Sequence, residues 1–270
     1  MKNLVIRSLA GIVFVIVTLG SLLLGPYGYA LFFLFVTIGG LIEFYNMTEK
    51  SKTCPHQTIG ITTGILVFVI SFLISSGKLQ PKAYLIFFPL LLFFFIAELY
   101  RKKKHPTENI ASGILGIIYI AVPLSLSNLI VFDGKNNYSP NLMIALLALI
   151  WIYDSGAYLF GVSIGKHRLF ERISPKKSWE GAIGGILVTL AASFFMARYI
   201  RIDLLHWLMI TLLVVVISTF GDLSESLFKR EFGMKDSGRI IPGHGGLLDR
   251  FDSLLFSLPV FVCYLQLVLR

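Results

Sequence analysis

Apolar residues run through most of the chain in long stretches, separated by short polar segments. A helix that crosses a bilayer needs about 20 predominantly apolar residues. The stretches that meet this requirement are Arg7–Leu24, Tyr27–Tyr45, Ile59–Ser76, Tyr84–Leu99, Ile110–Phe132, Leu142–Ile164, Glu180–Tyr199, Leu204–Ser226 and Leu247–Leu269. The pattern therefore predicts an all-α, polytopic membrane helical bundle with nine transmembrane helices. No polar segment is long enough to fold separately, so residues 1–270 are predicted to form a single integral membrane domain.

The composition supports a membrane location. Of 270 residues, 56% are hydrophobic and only 14% are charged, whereas soluble domains are roughly a quarter charged. The mean hydropathy is +0.79. One buried core of this size cannot absorb so much apolar surface, so the excess must face lipid. These values exclude a soluble globule and a disordered chain.

Basic residues are unevenly divided between the two sides of the predicted bundle. The side that carries the N-terminus holds 16 of the 24 Lys and Arg residues, and the other side holds 6. Cytoplasmic loops carry an excess of Lys and Arg. We therefore expect a multi-pass protein of the cytoplasmic (inner) membrane, with the N-terminus in the cytoplasm and the C-terminus outside. No basic segment interleaved with aromatic residues suggests nucleic-acid binding.

Seven of the fifteen acidic residues lie within or at the mouth of a predicted span, all toward its cytoplasmic end. They are Glu43, Glu98, Asp154, Asp222, Glu225, Asp249 and Asp252. For Glu43 and Glu98 we favour an interfacial position in which the carboxylate reaches water. The other five are harder to explain in this way. Asp222 and Glu225 are three residues apart, as are Asp249 and Asp252, so each pair shares a helix face.

The eighth and ninth spans are consecutive and antiparallel, so we expect them to pack side by side and to bring up to four carboxylates together. These acids could form ion pairs with Arg250 and Lys229, they could take up protons, or at least two of them could bind a divalent cation. We favour a cation because acids within a membrane are costly and are usually functional. Mg²⁺ suits carboxylate oxygens and usually takes one or two of them together with phosphate oxygens. The number of cations stays open.

The loop from Lys229 to Gly246 combines cations with glycines. Its cations are Lys229, Arg230, Lys235 and Arg239, and its last five residues are Pro242-Gly-His244-Gly-Gly246. Glycines let backbone amides approach a ligand, and a helix N-terminus favours anions. We therefore predict a phosphate cradle. A bridging cation would offset the repulsion between the phosphate and Asp249.

A second polar region runs from Asp154 to Gly185. Ser178 is predicted to cap the seventh span, and the glycines to allow close helix packing. These roles do not explain Asp154, which lies well inside its span, or the neighbouring Lys176 and Lys177. We expect Asp154 and this lysine pair, opening on one face, to form further walls of a polar pocket.

A pocket at headgroup depth with carboxylates, a cation, glycine amides and basic side chains fits phosphoryl or nucleotidyl transfer onto a lipid, which depends on positioning and charge neutralisation. The motif Ser226-Leu-Phe-Lys-Arg230, Lys235-Asp-Ser-Gly238 and Pro242-Gly-His-Gly-Gly-Leu-Leu-Asp-Arg-Phe-Asp252 resembles the signature of the phosphatidate cytidylyltransferase (CDP-diacylglycerol synthase) family. Ser174-Pro-Lys-Lys and Glu180-Gly181 are similar to the family's second motif region.

This resemblance implies that CTP and phosphatidate react to give CDP-diacylglycerol and pyrophosphate, with Mg²⁺ required. On that basis Asp222 and Asp249 are the expected metal ligands. Glu225 and Asp252 would support them or bind a second cation. The candidates for binding the CTP phosphates and the leaving pyrophosphate are Lys229, Arg230, Lys235, Arg239 and Arg250. His244 would bind phosphate or protonate pyrophosphate. Lys176 and Lys177 would hold the phosphatidate headgroup, and Asp154 would line the pocket.

Other functions stay open at this point. A CTP-dependent polyprenol kinase would use a similar site but attack the γ-phosphate and release CDP. A cation-coupled transporter would distribute its acids across the membrane or within repeated halves, whereas here they gather at one end and no repeat is visible. A lipid-binding scaffold would not need clustered acids. The sequence also leaves homo-oligomer formation open.

Overall fold

A computed structural model describes residues 2–51, 53–200, 202–238 and 245–269, with side chains from residue 9 onward. The chain divides into two compact units. The first unit comprises Met1–Pro140 and Glu231–Phe251, and the second comprises Asn141–Arg230 and Asp252–Arg270.

Helices account for nearly all regular structure in both units. The first unit contains α1 (Lys2–Leu23), α2 (Pro26–Thr48), α3 (Gln57–Ser75), α4 (Phe87–Tyr100), α5 (Pro106–Gly116), α6 (Val122–Leu126) and α7 (Asn128–Val131). Glu49–Ser51 and Pro81–Ile86 form short 3₁₀ helices. The second unit contains α8 (Asn141–Ile164), strands β1 (Arg168–Phe170) and β2 (Ser174–Ser178), α9 (Trp179–Met196), and most of α10 (Leu204–Glu231) and α11 (Leu248–Val268).

Within the described residues, eight helical segments are long and apolar enough to cross a membrane, and α1 adds a shorter apolar stretch, Leu9–Leu23. The eight segments are Pro26–Ser51, Gln57–Ser75, Pro81–Tyr100, Pro106–Val131, Asn141–Ile164, Trp179–Met196, Leu204–Glu231 and Leu248–Val268. These eight segments overlap the last eight of the nine predicted spans, and Leu9–Leu23 overlaps the first. The prediction of an all-α, polytopic helical bundle is confirmed.

The outward faces of these helices account for the apolar composition. In the fourth predicted span, which corresponds to Pro81–Tyr100, only 11% of the most apolar part is buried. Its Phe88, Leu92 and Leu99 side chains are 68%, 61% and 83% exposed. Water would make such a surface unfavourable, but lipid would not.

The fifth predicted span, which corresponds to Pro106–Val131, is a continuous helical segment with an irregular turn at its centre. Residues Ile117–Ala121 form a π-helical stretch between α5 and α6. Pro123 lies just beyond it, lacks a backbone N–H and excludes the carbonyl group four residues earlier. The widened turn is therefore attributable to the proline. Nearby, the buried Tyr45 hydroxyl donates to the Gly113 carbonyl oxygen at 2.8 Å and ties α2 to α5.

In the second unit, α8 and α9 pack closely at a point where each helix has a glycine. A Cβ built on Gly156 would lie only 3.2 Å from the Cα of Gly185. The predicted cap of α9 is also confirmed, because Ser178 Oγ accepts a hydrogen bond from the Gly181 N–H at 3.1 Å.

Strands β1 and β2 form an antiparallel hairpin between α8 and α9. The sequence analysis did not predict this hairpin and treated the segment as a loop. Its short strands carry mainly polar and charged residues, so they lack the alternating apolar pattern that marks a half-buried strand. The hairpin matters because it carries Lys176 and Lys177.

Candidate active site

Six charged side chains meet in the second unit, and we call them the acid–lysine cluster. Helix α10 supplies three members, and α8, β2 and α11 supply one each. The members are Asp154, Lys177, Asp222, Glu225, Lys229 and Asp252. The second unit therefore unites most of the acids that the sequence singled out.

Helix α10 can approach α11 closely at the cluster because Gly221 has no side chain. A Cβ on Gly221 would lie 2.7 Å from the carbonyl oxygen of Asp252. One turn away, Ser253 Oγ donates to the Ser218 carbonyl oxygen at 3.3 Å. The predicted side-by-side packing of the eighth and ninth spans is confirmed by these contacts.

Asp222 is the more accessible of the two cluster acids on α10, and two side chains contact it. Its Oδ2 lies 2.7 Å from Lys177 Nζ, with side-chain exposures of 34% for Asp222 and 27% for Lys177. Ser226 Oγ, one turn later, donates to Asp222 Oδ1 at 3.2 Å. Asp222 and Lys177 thus present opposite charges at a surface that a substrate can reach.

The structure separates Lys176 from Lys177, which the sequence analysis placed on one face. Consecutive residues of a strand point to opposite sides, and both lysines belong to β2. Lys177 therefore joins the cluster, whereas Lys176 is exposed. The expected shared face is corrected, and a role for Lys176 in substrate binding stays a prediction.

Glu225 and Lys229 form a buried ion pair along one turn of α10. Lys229 Nζ donates to Glu225 Oε2 at 2.8 Å, and the side chains are 10% and 0% exposed, respectively. Ion pairing was the alternative to metal binding for these acids, and this pair is present. Lys229 is therefore held inside the unit, whereas Arg230 on the next position of the helix is exposed.

Asp252 is buried near other acids of the second unit. Its Oδ1 accepts a hydrogen bond from the Ser253 N–H at 2.7 Å. The negative charges of Asp222, Glu225 and Asp154 all act on it electrostatically. The cluster therefore contains four acids against two lysines, a charge balance that attracts a cation.

The donor set of the cluster fits Mg²⁺ shared with a substrate. In the described part of the chain, no three acidic, histidine or cysteine side chains converge as a ready-made metal site. Mg²⁺ usually takes one or two protein carboxylates and completes its octahedron with water and substrate phosphates. The carboxylate oxygens of Asp222 are ligands of this kind, and metal binding by Asp222 stays a prediction.

Asp249 belongs to the first unit, where backbone amides hold it. Its Oδ2 accepts hydrogen bonds from the Ser237 N–H at 2.9 Å and from the Gly246 N–H at 2.8 Å. In return, Ser237 Oγ accepts from the Asp249 N–H at 3.3 Å. The segment between α10 and α11, residues 232–247, is called the glycine-rich loop here. Asp249 binds described residues on both sides of positions 239–244 of this loop. Metal binding by Asp249 stays a prediction.

Glu43 and Glu98 are buried, so the expectation that their carboxylates reach water was wrong. Glu43 is 4% exposed and Glu98 is 5% exposed. Glu98 Oε1 accepts from Asn109 Nδ2 at 2.7 Å, and its Oε2 lies 2.8 Å from His56 Nε2. Burial, reinforced by the nearby Arg101, lowers the pKa of His56 from its ordinary value.

Glu43 contacts the glycine-rich loop directly. Its carboxylate accepts hydrogen bonds from the Leu247 N–H, the Leu248 N–H and the Ser237 hydroxyl. The sequence could not reveal this contact because about two hundred residues separate its partners. The only signal was a carboxylate within an apolar span.

The remaining predicted cations fall into two groups. Lys235 and Arg250 are exposed in the first unit. Arg239 and His244 lie outside the residues that the structure describes. Their expected contacts with phosphate stay predictions.

A groove that the sequence analysis missed lies beside the hairpin. It has a volume of about 820 Å³, and its charged lining residues are two cations, Lys166 and Arg168, and two acids, Glu171 and Glu180. The Glu180 carboxylate accepts from the backbone N–H groups of Lys166 and His167 and lies 2.6 Å from His167 Nδ1. The exposed Trp179, which also lines this groove, suits the interface between membrane and water.

Comparisons with known proteins agree on one family. The model of the cytidylyltransferase family matches residues 5–268. A phosphatidate cytidylyltransferase of Staphylococcus haemolyticus (strain JCSC1435) is 32% identical over 262 residues, which cover 94% of this chain and 96% of that protein. Proteins of the same name from Staphylococcus saprophyticus and Staphylococcus aureus (strain COL) are 33% and 32% identical with the same coverage.

Proposed function

The chain belongs to the cytidylyltransferase family, and we propose that it transfers the cytidylyl group of CTP to phosphatidate at the membrane surface. The products are CDP-diacylglycerol and pyrophosphate. The names of the relatives indicate the reaction. The structural observation that supports it is the acid–lysine cluster, in which carboxylates and an accessible lysine meet at the end of membrane helices.

The reaction joins two anions. A phosphate oxygen of phosphatidate bonds to the α-phosphorus of CTP, and the bond from that phosphorus to the β-phosphate oxygen breaks. The electron pair leaves with pyrophosphate. The second pKa of a phosphomonoester is about 6, so the nucleophile is already ionised and needs no general base. The protein must instead reduce the repulsion between the substrates.

Lys177 is the basic side chain best placed for this task. Its ammonium lies 2.7 Å from Asp222 Oδ2 and is about one quarter exposed, so it can turn toward an incoming phosphate. We propose that it contacts the phosphatidate headgroup. Lys166 and Arg168 of the neighbouring groove would offer further contacts to that headgroup.

We propose that the cluster also holds Mg²⁺. Asp222 is the leading ligand because it is more accessible than Glu225, the other acid that α10 gives to the cluster, and the excess negative charge around Asp252 favours a cation. When bound, Mg²⁺ neutralises phosphate charge and orients the α-phosphate. The buried Glu225–Lys229 pair would hold α10 in register beneath Asp222.

The active site is proposed to face the cytoplasm, where CTP is available. This placement rests on the distribution of basic residues, of which 16 of 24 lie on the side that carries the N-terminus. The same count supports a multi-pass protein of the cytoplasmic membrane with its C-terminus outside.

The proposal is tested with purified protein, phosphatidate and radiolabelled CTP by measuring label that partitions into organic solvent. We expect labelled lipid with Mg²⁺ and none with excess EDTA. Asp222→Asn should abolish labelling. Asp203→Asn is the matched control, because Asp203 is an exposed acid at the opposite end of the same helix, where its carboxylate caps Leu205 at 3.0 Å.

Full labelling by Asp222→Asn would refute the role given to the cluster. Full labelling in EDTA would refute the cation. Release of CDP instead of pyrophosphate would indicate a lipid kinase and refute cytidylyl transfer.

A further inference from the structure

The Glu43 carboxylate lies at the centre of the described parts of the glycine-rich loop. Glu43 Oε1 accepts from the Leu247 N–H at 2.9 Å. Glu43 Oε2 accepts from the Leu248 N–H at 2.8 Å and from Ser237 Oγ at 3.1 Å. One side chain of α2 thus binds residues on both sides of positions 239–244.

Two glycines of the motif leave room for this carboxylate. A Cβ on Gly246 would lie 2.5 Å from Glu43 Oε2, and a Cβ on Gly238 would collide with Glu43 Oε1. Neither backbone could approach Glu43 this closely with a larger residue. Loop and carboxylate therefore fit each other at two positions.

The same contacts lead to Asp249. Ser237 donates its hydroxyl to Glu43, donates its backbone N–H to Asp249 Oδ2 and accepts the Asp249 N–H. Leu248, whose N–H is bound by Glu43, directly precedes Asp249 at the start of α11. A displacement of Glu43 would therefore disturb Ser237, which holds the Asp249 carboxylate, and Leu248, which directly precedes Asp249.

We propose that Glu43 is a positioning residue for the transferase reaction, which fixes the glycine-rich loop and the start of α11 and thereby orients Asp249. The proposal rests on the proposed function and assigns no contact with substrate to Glu43. It gives a role to a buried carboxylate near the end of the second span, where an unsatisfied charge would be costly.

The variant Glu43→Gln is a nearly isosteric test. A glutamine offers one carbonyl oxygen where glutamate offers two. With its NH₂ group in either position, the amide directs a donor at the Leu247 N–H or at the Leu248 N–H. One backbone donor therefore loses its acceptor, although the side-chain volume hardly changes.

The experiment combines hydrogen exchange with kinetics on the full-length protein in detergent. For Glu43→Gln we expect faster amide exchange in peptides that contain Leu247 and Leu248. We also expect kcat to fall roughly 10- to 100-fold, as misplacement by about 1 Å can cause, with little change in the KM for phosphatidate.

Glu98→Gln is the matched control, because Glu98 is equally buried in the same unit but binds Asn109 and His56 instead of the loop. We expect this variant to leave loop exchange and kcat unchanged even if it lowers the unfolding temperature. Equal effects of the two variants on kcat and loop exchange would overturn the proposal, because both would then reflect general destabilisation.

Wild-type loop exchange and kcat in Glu43→Gln would also overturn it. If Glu43→Gln does not accumulate, Ser237→Ala provides the test. Ser237 Oγ also accepts the Asp249 N–H next to Leu248, so the test is exchange at Leu247, whose N–H is bound by Glu43: faster exchange there would support the proposal, and wild-type exchange there would overturn it. Inactive wild-type protein would refute the proposed function, whereas the exchange comparison would still decide whether Glu43 holds the loop.

Discussion

Lys177 and Lys229 make the same kind of ion pair in different surroundings, so we expect different results when each is replaced by methionine. Lys229 and its partner Glu225 are 10% and 0% exposed. Lys177 and its partner Asp222 are 27% and 34% exposed. Breaking a buried ion pair costs about 3–5 kcal/mol, whereas a partly exposed pair contributes roughly 0–1 kcal/mol.

Lys229→Met should therefore lower the free energy of unfolding by several times as much as Lys177→Met. Lys177→Met should instead reduce transfer by about 100-fold while the protein stays folded, because it removes a charge next to the reacting phosphates. Unfolding in detergent is followed by intrinsic fluorescence, and lipid labelling is measured well below the unfolding temperature.

A double variant separates the two roles expected of Lys229. Glu225→Leu combined with Lys229→Met removes both charges, and replacing a whole buried pair by apolar residues of similar volume is often neutral for stability. We expect stability to recover but transfer to stay low, because the Lys229 ammonium was also expected to assist phosphate binding. Unchanged stability of Lys229→Met would refute the burial argument, and full transfer by the double variant would refute the phosphate-binding role.

Three further predictions follow from individual contacts. Asp222→Asn and Asp249→Asn should each abolish transfer while the protein still inserts and folds, and near-normal lipid labelling by either variant would contradict its assignment to the metal. Burial lowers the pKa of His56 below 6.5, so the contribution of neutral His56 to stability should be complete above pH 6.5 and decrease as the pH falls. Unfolding temperatures at about pH 7.5 and 5 test this dependence. The variant His56→Asn should reduce the difference between the two temperatures. Gly156→Val should destabilise the protein by roughly 1–3 kcal/mol through overpacking against α9. Gly134→Val should have no such effect, because a side chain at Gly134 would meet no other atoms. Equal unfolding temperatures of the two variants would contradict the packing argument.

The membrane bundle was predictable because long apolar stretches leave few alternatives. The predicted spans and the Ser178 cap depend on local composition, and the structure contains both. The packing of α10 against α11 followed from chain order and is present at Gly221. The single membrane domain, the orientation and the metal ligands stay predictions.

What the sequence missed depends on tertiary contacts. Lys176 and Lys177 are adjacent in sequence, but the unpredicted β2 strand directs only Lys177 to Asp222. Glu43 resembled an interfacial acid because nothing in the second span indicates that residues near position 247 pack on it. Periodicity reveals which face of a helix is apolar, but it does not identify the distant loop that satisfies a buried carboxylate.

The position of the transferred phosphorus tests the central claim most directly. Reconstituted protein is supplied with phosphatidate, Mg²⁺ and CTP that carries radioactive phosphorus at either the α- or the γ-position. We predict that the α-label enters the lipid and that the γ-label is released as pyrophosphate. A γ-label in the lipid, with CDP released, would contradict cytidylyl transfer and identify a kinase.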